Sequence, residues 1–480
     1  MSTVQTRRSS LLEALPPAQA AVVERLGRVF ADAGHPLALV GGIVRDLLLG
    51  RELPADLDFA TDALPEETER LGLAAGAATV YLVGAKFGTV GLVFHPDPEG
   101  VPITVEITTY RSEHYPHETR HPEVDFGTRI EDDLARRDFT VNAIAADAVT
   151  GALIDPFEGQ ADLARGIIRA VGNPDERFRE DPLRLLRAAR FVAQLGFLVE
   201  PETKAAMIRQ APSLARISKE RIYAELTKLL TGDYAAHGLE TLRETDLLVQ
   251  AMPELAPLAA APEARRGSRR EKDLWDHTLR VVDRAPARPV VRWAALLHDA
   301  AKPQTRSVDA SGHVHFFGHE RAGAALARRL LGRLKADKAT QSAVARLVEL
   351  HLRPAAYDTD WTDSAVRRLM LEADGVLDDL LDLVAADVTS AREHKQRAAA
   401  QRVEALRAHI RRLEEERALA DLKSPLDGDE LMAIFNRPPG RWIAIVKDHL
   451  RELVIDGALA PDDKATAERI ARDMIARGEA

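Results

Sequence analysis

Between about residues 20 and 110 the chain carries short apolar, β-branched runs separated by stretches with helical spacing. LALVGG, ATVYLVG, FGTVGLVF and ITVEITTY read as strands, half or fully buried. From about 160 onward the strand signal nearly disappears. Segments such as EDPLRLLRAARFVAQLGF place apolar residues on one helical face. A Pro-, Ala- and Arg-rich stretch over 256–270 reads as a linker, a further helical block starts at Trp275, and the Arg- and Glu-rich tail beyond 396 reads as helix with i,i+4 pairs. The pattern predicts an α+β chain in four parts. A head with a small mixed sheet spans 20–165 and a helical neck and body 166–255. A helical domain follows over 271–395, then a helical tail over 396–480.

The length of 480 residues agrees with several domains, and 46% hydrophobic with 29% charged residues is an ordinary core-forming balance. The chain has no cysteine, so disulfides, zinc fingers and thiol nucleophiles are excluded, and any metal must sit on His, Asp or Glu. No apolar run reaches membrane-spanning length, and the first residues lack a signal-peptide core, so a cytoplasmic enzyme is the expectation. The net charge of -10 argues against nucleic-acid binding, but the average hides a gradient. From Arg165 to Lys228 there are 13 basic and 8 acidic side chains. A phosphate-binding surface is expected there, with a salt-bridged helical face as the plain alternative.

Four pieces of candidate chemistry fall in order in the head. Leu39-Val40-Gly41-Gly42 runs into IVRDLLLG, a strand, a glycine turn and a helix that Gly50 can end. Gly41 and Gly42 would let backbone approach a phosphate, and Arg45 follows one turn later. Asp56-Leu57-Asp58-Phe59 places two carboxylates on one side of a strand and two apolar side chains on the other. Oxygen ligands of this kind suit magnesium, which serves nucleotidyl transfer. Glu106 interrupts the apolar alternation of VPITVEITTYR, a costly position that a third metal ligand would explain. In DLARRDFTVNAIA, Arg136 and Arg137 can clamp a triphosphate, and Asp138 or Asn142 can meet a ribose hydroxyl. Each piece alone has a bland reading: a plain turn, a solvated loop, a wet strand face, a helix-start charge cluster.

The order VGGIVRD, DLDFAT, FGTV with VEITTYR, then DLARRDFTVNAIA resembles the bacterial class of tRNA CCA-adding enzymes and poly(A) polymerases. The resemblance runs over roughly residues 20–230, through DPFEGQADLARGIIRAVGNPDERFREDPLRLLRAARF and ISKERIYAELTKLL. It implies template-independent addition of C and A to a tRNA 3′ end from CTP and ATP. Asp56, Asp58 and Glu106 would carry Mg2+. The match to Glu180-Asp181-Pro182-Leu183-Arg184 implies a protein template that reads the incoming base. Cytosine and adenine both present an amino donor beside a ring-nitrogen acceptor, so one carboxylate and one guanidinium, three apart on a helix face, accept both bases. Uracil and guanine would leave buried polar groups unpaired. Arg187 and Arg190 extend the basic side toward triphosphate or RNA. The polar stretch 110–129 matches a segment the family uses to switch from cytidine to adenosine addition, which speaks mildly against a C-only enzyme. Phe87 stands where the family often has His.

A second constellation lies further on. His277 follows Trp275-Asp276, His298-Asp299 ends an apolar helix, and His319, His351 and Asp387 occur at wide intervals. A lone helical His is usually structural, but this set resembles the HD phosphohydrolase family. The resemblance implies one divalent ion on His277, His298, Asp299 and Asp387, and a second completed by His319 and His351. Mn2+, Mg2+, Ni2+ and Fe2+ all suit such ligands. Lys302 would stabilise phosphate charge, although Ala300-Ala301 replaces the usual Ile-Gly before it. The leading expectation is a tRNA nucleotidyltransferase with an HD phosphohydrolase module and no DNA or membrane partner. The alternatives are a poly(A) polymerase, an enzyme adding only the terminal A, an HD phosphohydrolase whose head merely binds RNA or nucleotide, and a non-catalytic RNA-binding protein.

Overall fold

The computed structural model describes residues 11–53, 56–82, 88–95, 101–114, 123–260, 265–266, 269–270, 274–358, 360–388, 393–415 and 424–479. Phe87 and residues 115–122 of the polar stretch lie outside them. The chain divides into two compact units, Met1–Ala251 and Met252–Ala480.

The first unit opens with α1 (Pro17–Asp32), started by a proline at its first turn and buried along Val22, Val23, Leu26 and Phe30. β1 (Leu37–Val40), α2 (Gly42–Leu48), β2 (Leu57–Thr61), α3 (Pro65–Ala74), β3 (Thr79–Leu82), β4 (Thr89–Phe94) and β5 (Ile103–Thr109) follow. A separate two-stranded ribbon, β6 (Arg111–His114) with β7 (Glu123–Phe126), occupies part of the stretch expected as loop. Next come α4 (Ile130–Ala135), β8 (Ala145–Asp147) and β9 (Leu153–Ile154). The sheet order is β3-β4-β5-β2-β1-β8-β9, with β2 and β5 the parallel neighbours. β5 keeps strict alternation: Ile103, Val105 and Ile107 are buried while Thr104, Glu106 and Thr108 are only partly covered. The apolar half faces the core, so Glu106 belongs to the working face of the sheet.

The rest of this unit is mainly helical, as the periodicity predicts, with one short parallel pairing of Ile167–Ile168 with Leu198–Val199: α5 (Gly159–Arg165), α6 (Pro174–Glu180), α7 (Leu183–Leu195), α8 (Pro201–Gln210), α9 (Lys219–Leu230), α10 (Ala235–Glu244) and α11 (Leu247–Ala251). α7 is its central helix, with Leu185, Leu186, Ala188, Ala189, Phe191 and Val192 all buried.

In the second unit α12 (Ala256–Ala259) and an antiparallel pairing of Arg265–Arg266 with Arg269–Arg270 lie in the predicted linker. The HD region comprises α13 (Leu274–Arg284), α14 (Pro289–Leu297), α15 (Lys302–Thr305), α16 (His319–Arg333), α17 (Lys338–Leu350), α18 (Leu352–Ala355), α19 (Asp363–Glu372) and α20 (Leu377–Ala386). α14 is its axis: Trp293 and Ala294 through Leu297 are wholly buried. α21 (Glu393–Glu415) runs straight through the boundary expected at 396. Val403, Leu406, Ile410 and Leu413 recur at helical spacing and are buried, and the helix packs on α18, α19 and α20. The terminal helices α22 (Gly428–Phe435), α23 (Arg441–Ile455) and α24 (Lys464–Ala476) have a core of their own around Leu431, Trp442, Val446 and Leu450.

Candidate active site

Register brings the head's chemistry together. In the β2–β5 ladder Asp58 stands directly opposite Glu106. Adjacent strands lie about 4.8 Å apart, so the two carboxylates are side-by-side neighbours. Burial, followed by the charge of Asp56, raises the Asp58 pKa, with Arg137 pulling it down. Burial, then Asp58 and Asp56, raises that of Glu106. Acids crowded closely enough for one to raise the pKa of its neighbour fit a site built around a cation. The expected convergence of all three is not tight, however. Asp56 is exposed just before β2 begins, where the ladder does not yet fix it. Among the described residues, the groups of three ligand atoms lying within 4.8 Å of one another are both in the HD region.

Asp58 and Glu106 open onto a cleft of about 830 Å³ that also collects Gly41, Gly42, Arg45, Arg137, Asp138, Asn142, Asp181, Arg184, Arg187 and Arg190. Gly41 has φ 75°, a left-handed conformation that favours glycine, and a Cβ there would come within 2.8 Å of Arg137 Nη1 and push that guanidinium aside. Arg45 donates to both oxygens of Asp46 at 2.9 Å and to Asn142 Oδ1 at 2.8 Å. Arg136 and Arg137 donate to the buried Asp133 at 2.8 and 3.2 Å. Burial pushes the Asp133 pKa up, but Arg137 and Arg136 together bring it below the usual carboxylate range.

Asp138 is buried and fully occupied. It accepts from the Phe139 N–H at 2.9 Å, Asn142 Nδ2 at 3.1 Å and Arg187 Nε at 2.6 Å. Asp138 and Asn142 therefore brace the cationic wall, in addition to lining the cleft. Arg190 pairs with the buried Glu225 at 3.0 Å, and burial lowers its pKa to about 10. The guanidinium groups of Arg45, Arg187 and Arg190 all lie over the Phe191 ring, at 5.3, 5.5 and 4.5 Å.

The Asp181–Arg184 pair differs from the sequence expectation. The two residues do not share a regular helix. Asp181 is the extended cap between α6 and α7, at φ -134° and ψ 100°. Pro182 follows it, and a residue before proline is kept out of the helical region. Asp181 accepts from the Leu183 N–H at 3.0 Å and from Arg221 at 3.2 Å. Arg184 donates to Glu180 at 2.7 Å, to the Arg177 carbonyl at 3.1 Å and to the Arg136 carbonyl at 2.8 Å. Both side chains line the cleft, each held by its own partners. Arg221, Glu225 and Phe191 lie within quoted motifs, yet no role was expected of them. Arg111, Thr89, Thr108 and Lys228 also line the cleft without having been singled out.

The HD region builds a second site from helix ends. His298 caps α14, His351 caps α17, His319 begins α16, and Asp387 caps α20. Three of the four imidazoles are aimed alike: Nδ1 of His298, His319 and His351 pairs with the carbonyls of Ala295, Phe316 and Val348 at 2.8, 2.7 and 2.7 Å. That leaves each Nε2 pointing inward. The ligand atoms fall into two groups, His277, His298 and Asp387, then Asp299, His319 and His351. The expected division put Asp299 with the first ion, and its position serves either group. Asp299 lies between them: Oδ2 is 3.3 Å from both His277 and His298, and Oδ1 is 3.5 Å from His319. Asp299 Oδ1 and His319 Nε2 are buried with no hydrogen-bond partner, and His277 Nε2 faces His298 Nε2 at 3.3 Å. Orphaned atoms and facing imidazole nitrogens are the arrangement bound divalent ions would satisfy. Lys302 donates to Asp299 at 2.6 Å.

Sheet, cleft and histidine cluster together define a nucleotidyltransferase-type head followed by an HD module. The matching family models are the poly A polymerase head domain over residues 37–169, the probable RNA and SrmB-binding site of polymerase A over 196–258, and the HD domain over 274–392. The A-adding tRNA nucleotidyltransferase of Deinococcus radiodurans is 35% identical over 450 residues, covering 90% of this chain and 94% of that protein. The CCA-adding enzyme of Geobacillus kaustophilus is 43% identical over 265 residues, 54% of this chain and 62% of the relative, and that of Geobacillus thermodenitrificans matches over 54% of its own length. The crystal structure of the Bacillus stearothermophilus CCA-adding enzyme in complex with CTP superposes with a TM-score of 0.69 at 29% identity, covering 96% of this chain and 100% of that one. The chain belongs to the family of tRNA nucleotidyltransferases that includes the CCA-adding and A-adding enzymes.

The Asp138 bracing gives a stability prediction. Asp138→Asn leaves Arg187 without its charge partner and should cost about 1–3 kcal/mol at neutral pH. Burial pushes the folded pKa of Asp138 up, but Arg187, the Asn142 hydrogen bond and Arg184 together bring it below the usual carboxylate value. Its contribution is therefore complete above the unfolded value near 4 and is lost as pH falls through the lower folded value. Urea unfolding of both proteins should show a gap at neutral pH that narrows on acidification. An equal gap at every pH would contradict this role.

Proposed function

We propose that the head adds C and A, from CTP and ATP, to the 3′ end of tRNA, releasing pyrophosphate at each step. The observation that carries this reading is the convergence on one cleft of the Asp58–Glu106 carboxylates, an arginine wall and the Asp181–Arg184 pair. The family membership and the nucleotide-bound relative support it.

Arg45, Arg137 and Arg187 would hold the triphosphate, with their orientations fixed by Asp46, Asp133 and Asp138. Asp181 would accept from the amino group of cytosine or adenine, and Arg184 would donate to the adjacent ring nitrogen. Uracil and guanine present a carbonyl where the amine should be, so Asp181 would face an acceptor. Asp58 and Glu106, with Asp56 beside them, would hold divalent metal, magnesium by its oxygen preference, which when bound supplies charge neutralisation at the reacting phosphate. The acceptor 3′-hydroxyl then attacks the α-phosphorus, and the bond to the β-phosphate oxygen breaks. The protein's share is placement and preorganised charge.

A-only addition is the second reading, favoured by the relative that matches over 94% of its length. Poly(A) synthesis is the third. Purified protein given tRNA ending at the discriminator base, tRNA ending in CC, and oligo(A) separates all three. No described helix is long and apolar enough to cross a membrane, and a cytoplasmic site of action follows from the proposed substrate.

For the HD region we propose a metal-dependent phosphohydrolase. His277, His298 and Asp387 would hold one divalent ion and Asp299, His319 and His351 another, providing Lewis acidity toward a phosphoester when bound. Mn2+, Mg2+, Ni2+ and Fe2+ all suit the set. Lys302 would then face the substrate phosphate.

Two variants test the division of labour. Asp58→Ala should lower nucleotide addition by at least about a thousandfold with unchanged thermal unfolding; near wild-type addition would refute the site. His298→Ala should remove phosphoester hydrolysis and spare nucleotide addition. Joint loss of both activities from a folded protein would overturn the assignment of separate sites.

A further inference from the structure

The working face of the head sheet extends beyond the cleft, toward the β3 edge. Register places Tyr81 opposite Gly91, Gly91 opposite Glu106, and Glu106 opposite Asp58. These four positions form one row on one face. Gly91 leaves a gap in that row, and the hydroxyl end of the Tyr81 ring lies over it: a Cβ at Gly91 would come within 2.4 Å of the ring. The tyrosine is thus laid across β4 toward Glu106, about 10 Å from it by backbone spacing. Part of the side chain stays accessible, the residue being 37% exposed. Burial, then the charges of Glu106 and Asp56, raises the phenol pKa, in agreement with a ring close to both acids.

The position relative to the carboxylates is informative. Gly41 and Arg45 follow β1, while Arg137 and Arg187 belong to the segment after α4 and to α7. Tyr81 belongs to β3, at the opposite end of the row, across Glu106. In-line displacement requires the attacking hydroxyl to approach opposite the leaving pyrophosphate. With the arginines claiming the triphosphate, the acceptor must arrive from the β4–β3 side. A partly accessible aromatic ring beside the path of an RNA 3′ end is a stacking surface that tolerates any base.

We propose that Tyr81, seated over Gly91, is the stacking platform for the terminal nucleotide of the RNA acceptor. The proposal rests on the nucleotidyl-transfer reading of the head. Tyr81 holds the acceptor and takes no part in reading the incoming base.

The full-length protein, an RNA minihelix ending in CC and ATP provide the test. Tyr81→Ala should raise KM for the minihelix roughly tenfold, with KM for ATP within about twofold. Tyr81→Phe, which keeps the ring, should recover most of that loss. Gly91→Ala should displace the ring and reproduce the effect of Tyr81→Ala, and the double variant should be no worse than either single. Minihelix affinity by fluorescence anisotropy should follow the same order. An unchanged minihelix affinity in folded Tyr81→Ala overturns the proposal, as does an equal rise in KM for ATP or a loss confined to thermal stability. Wild-type protein that binds the minihelix but transfers nothing would remove the reaction assigned to the head, and the affinity comparison would still decide the role of Tyr81. Wild-type protein that binds no RNA removes both.

Discussion

The head depends on two carboxylates held side by side by a parallel strand pair. Asp58 and Glu106 are ladder partners, and the apolar halves of β2 and β5 are buried beneath them. A one-residue slip of β5 would send Glu106 into the core and Val105 or Ile107 into the cleft. Burial of Leu57, Phe59, Val105 and Ile107 therefore fixes the register that the chemistry needs. The charge problem created by that register is answered from one side by arginines anchored to acids: Arg45 to Asp46, Arg137 to the buried Asp133, Arg187 to the buried Asp138 and Arg190 to the buried Glu225. The wall around the cleft is thus a set of ion pairs with donor capacity left over, rigid before any substrate arrives.

Much of this was legible in the chain, for physical reasons that differ by element. Strict alternation in ITVEITT marked both the strand and the anomalous position of Glu106. The apolar helix ending in His298-Asp299 pointed to a buried cluster, because a doublet at a helix end has its side chains free to turn inward. Asp181 was identified with the wrong geometry. The i,i+3 spacing suggested a shared helical face, whereas Pro182 forces Asp181 out of the helix, a signal present in the dipeptide itself. The roles of Arg221 and Glu225 were not legible, since a basic and an acidic residue one turn apart on α9 look like any solvated helical face. Their partners Asp181 and Arg190 are 40 and 35 residues away in sequence. The apolar stripe of α21 was also not legible, because Arg- and Glu-rich composition concealed it.

The two sites use opposite means of orientation. In the head, side chains are aimed by other charged side chains. In the HD region, three imidazoles are aimed by backbone carbonyls three residues earlier in the chain. The backbone version needs no second acid and is set as soon as the local turn forms. It also fixes the tautomer, leaving Nε2 of each ring as the acceptor.

The Phe191 ring has a mechanical consequence. Arg45 reaches it from the helix after the glycine turn, and Arg187 and Arg190 reach it from the helix that begins beside Asp181 and Arg184. Under the proposed roles, the grip on phosphates and the reading of the base would both be referenced to this one ring. A base that failed to seat would then displace the start of α7, and with it the cations around the ring. Discrimination between nucleotides would then be felt at the reacting phosphorus as a misalignment, so that fidelity is expressed as slowed chemistry as well as weakened binding.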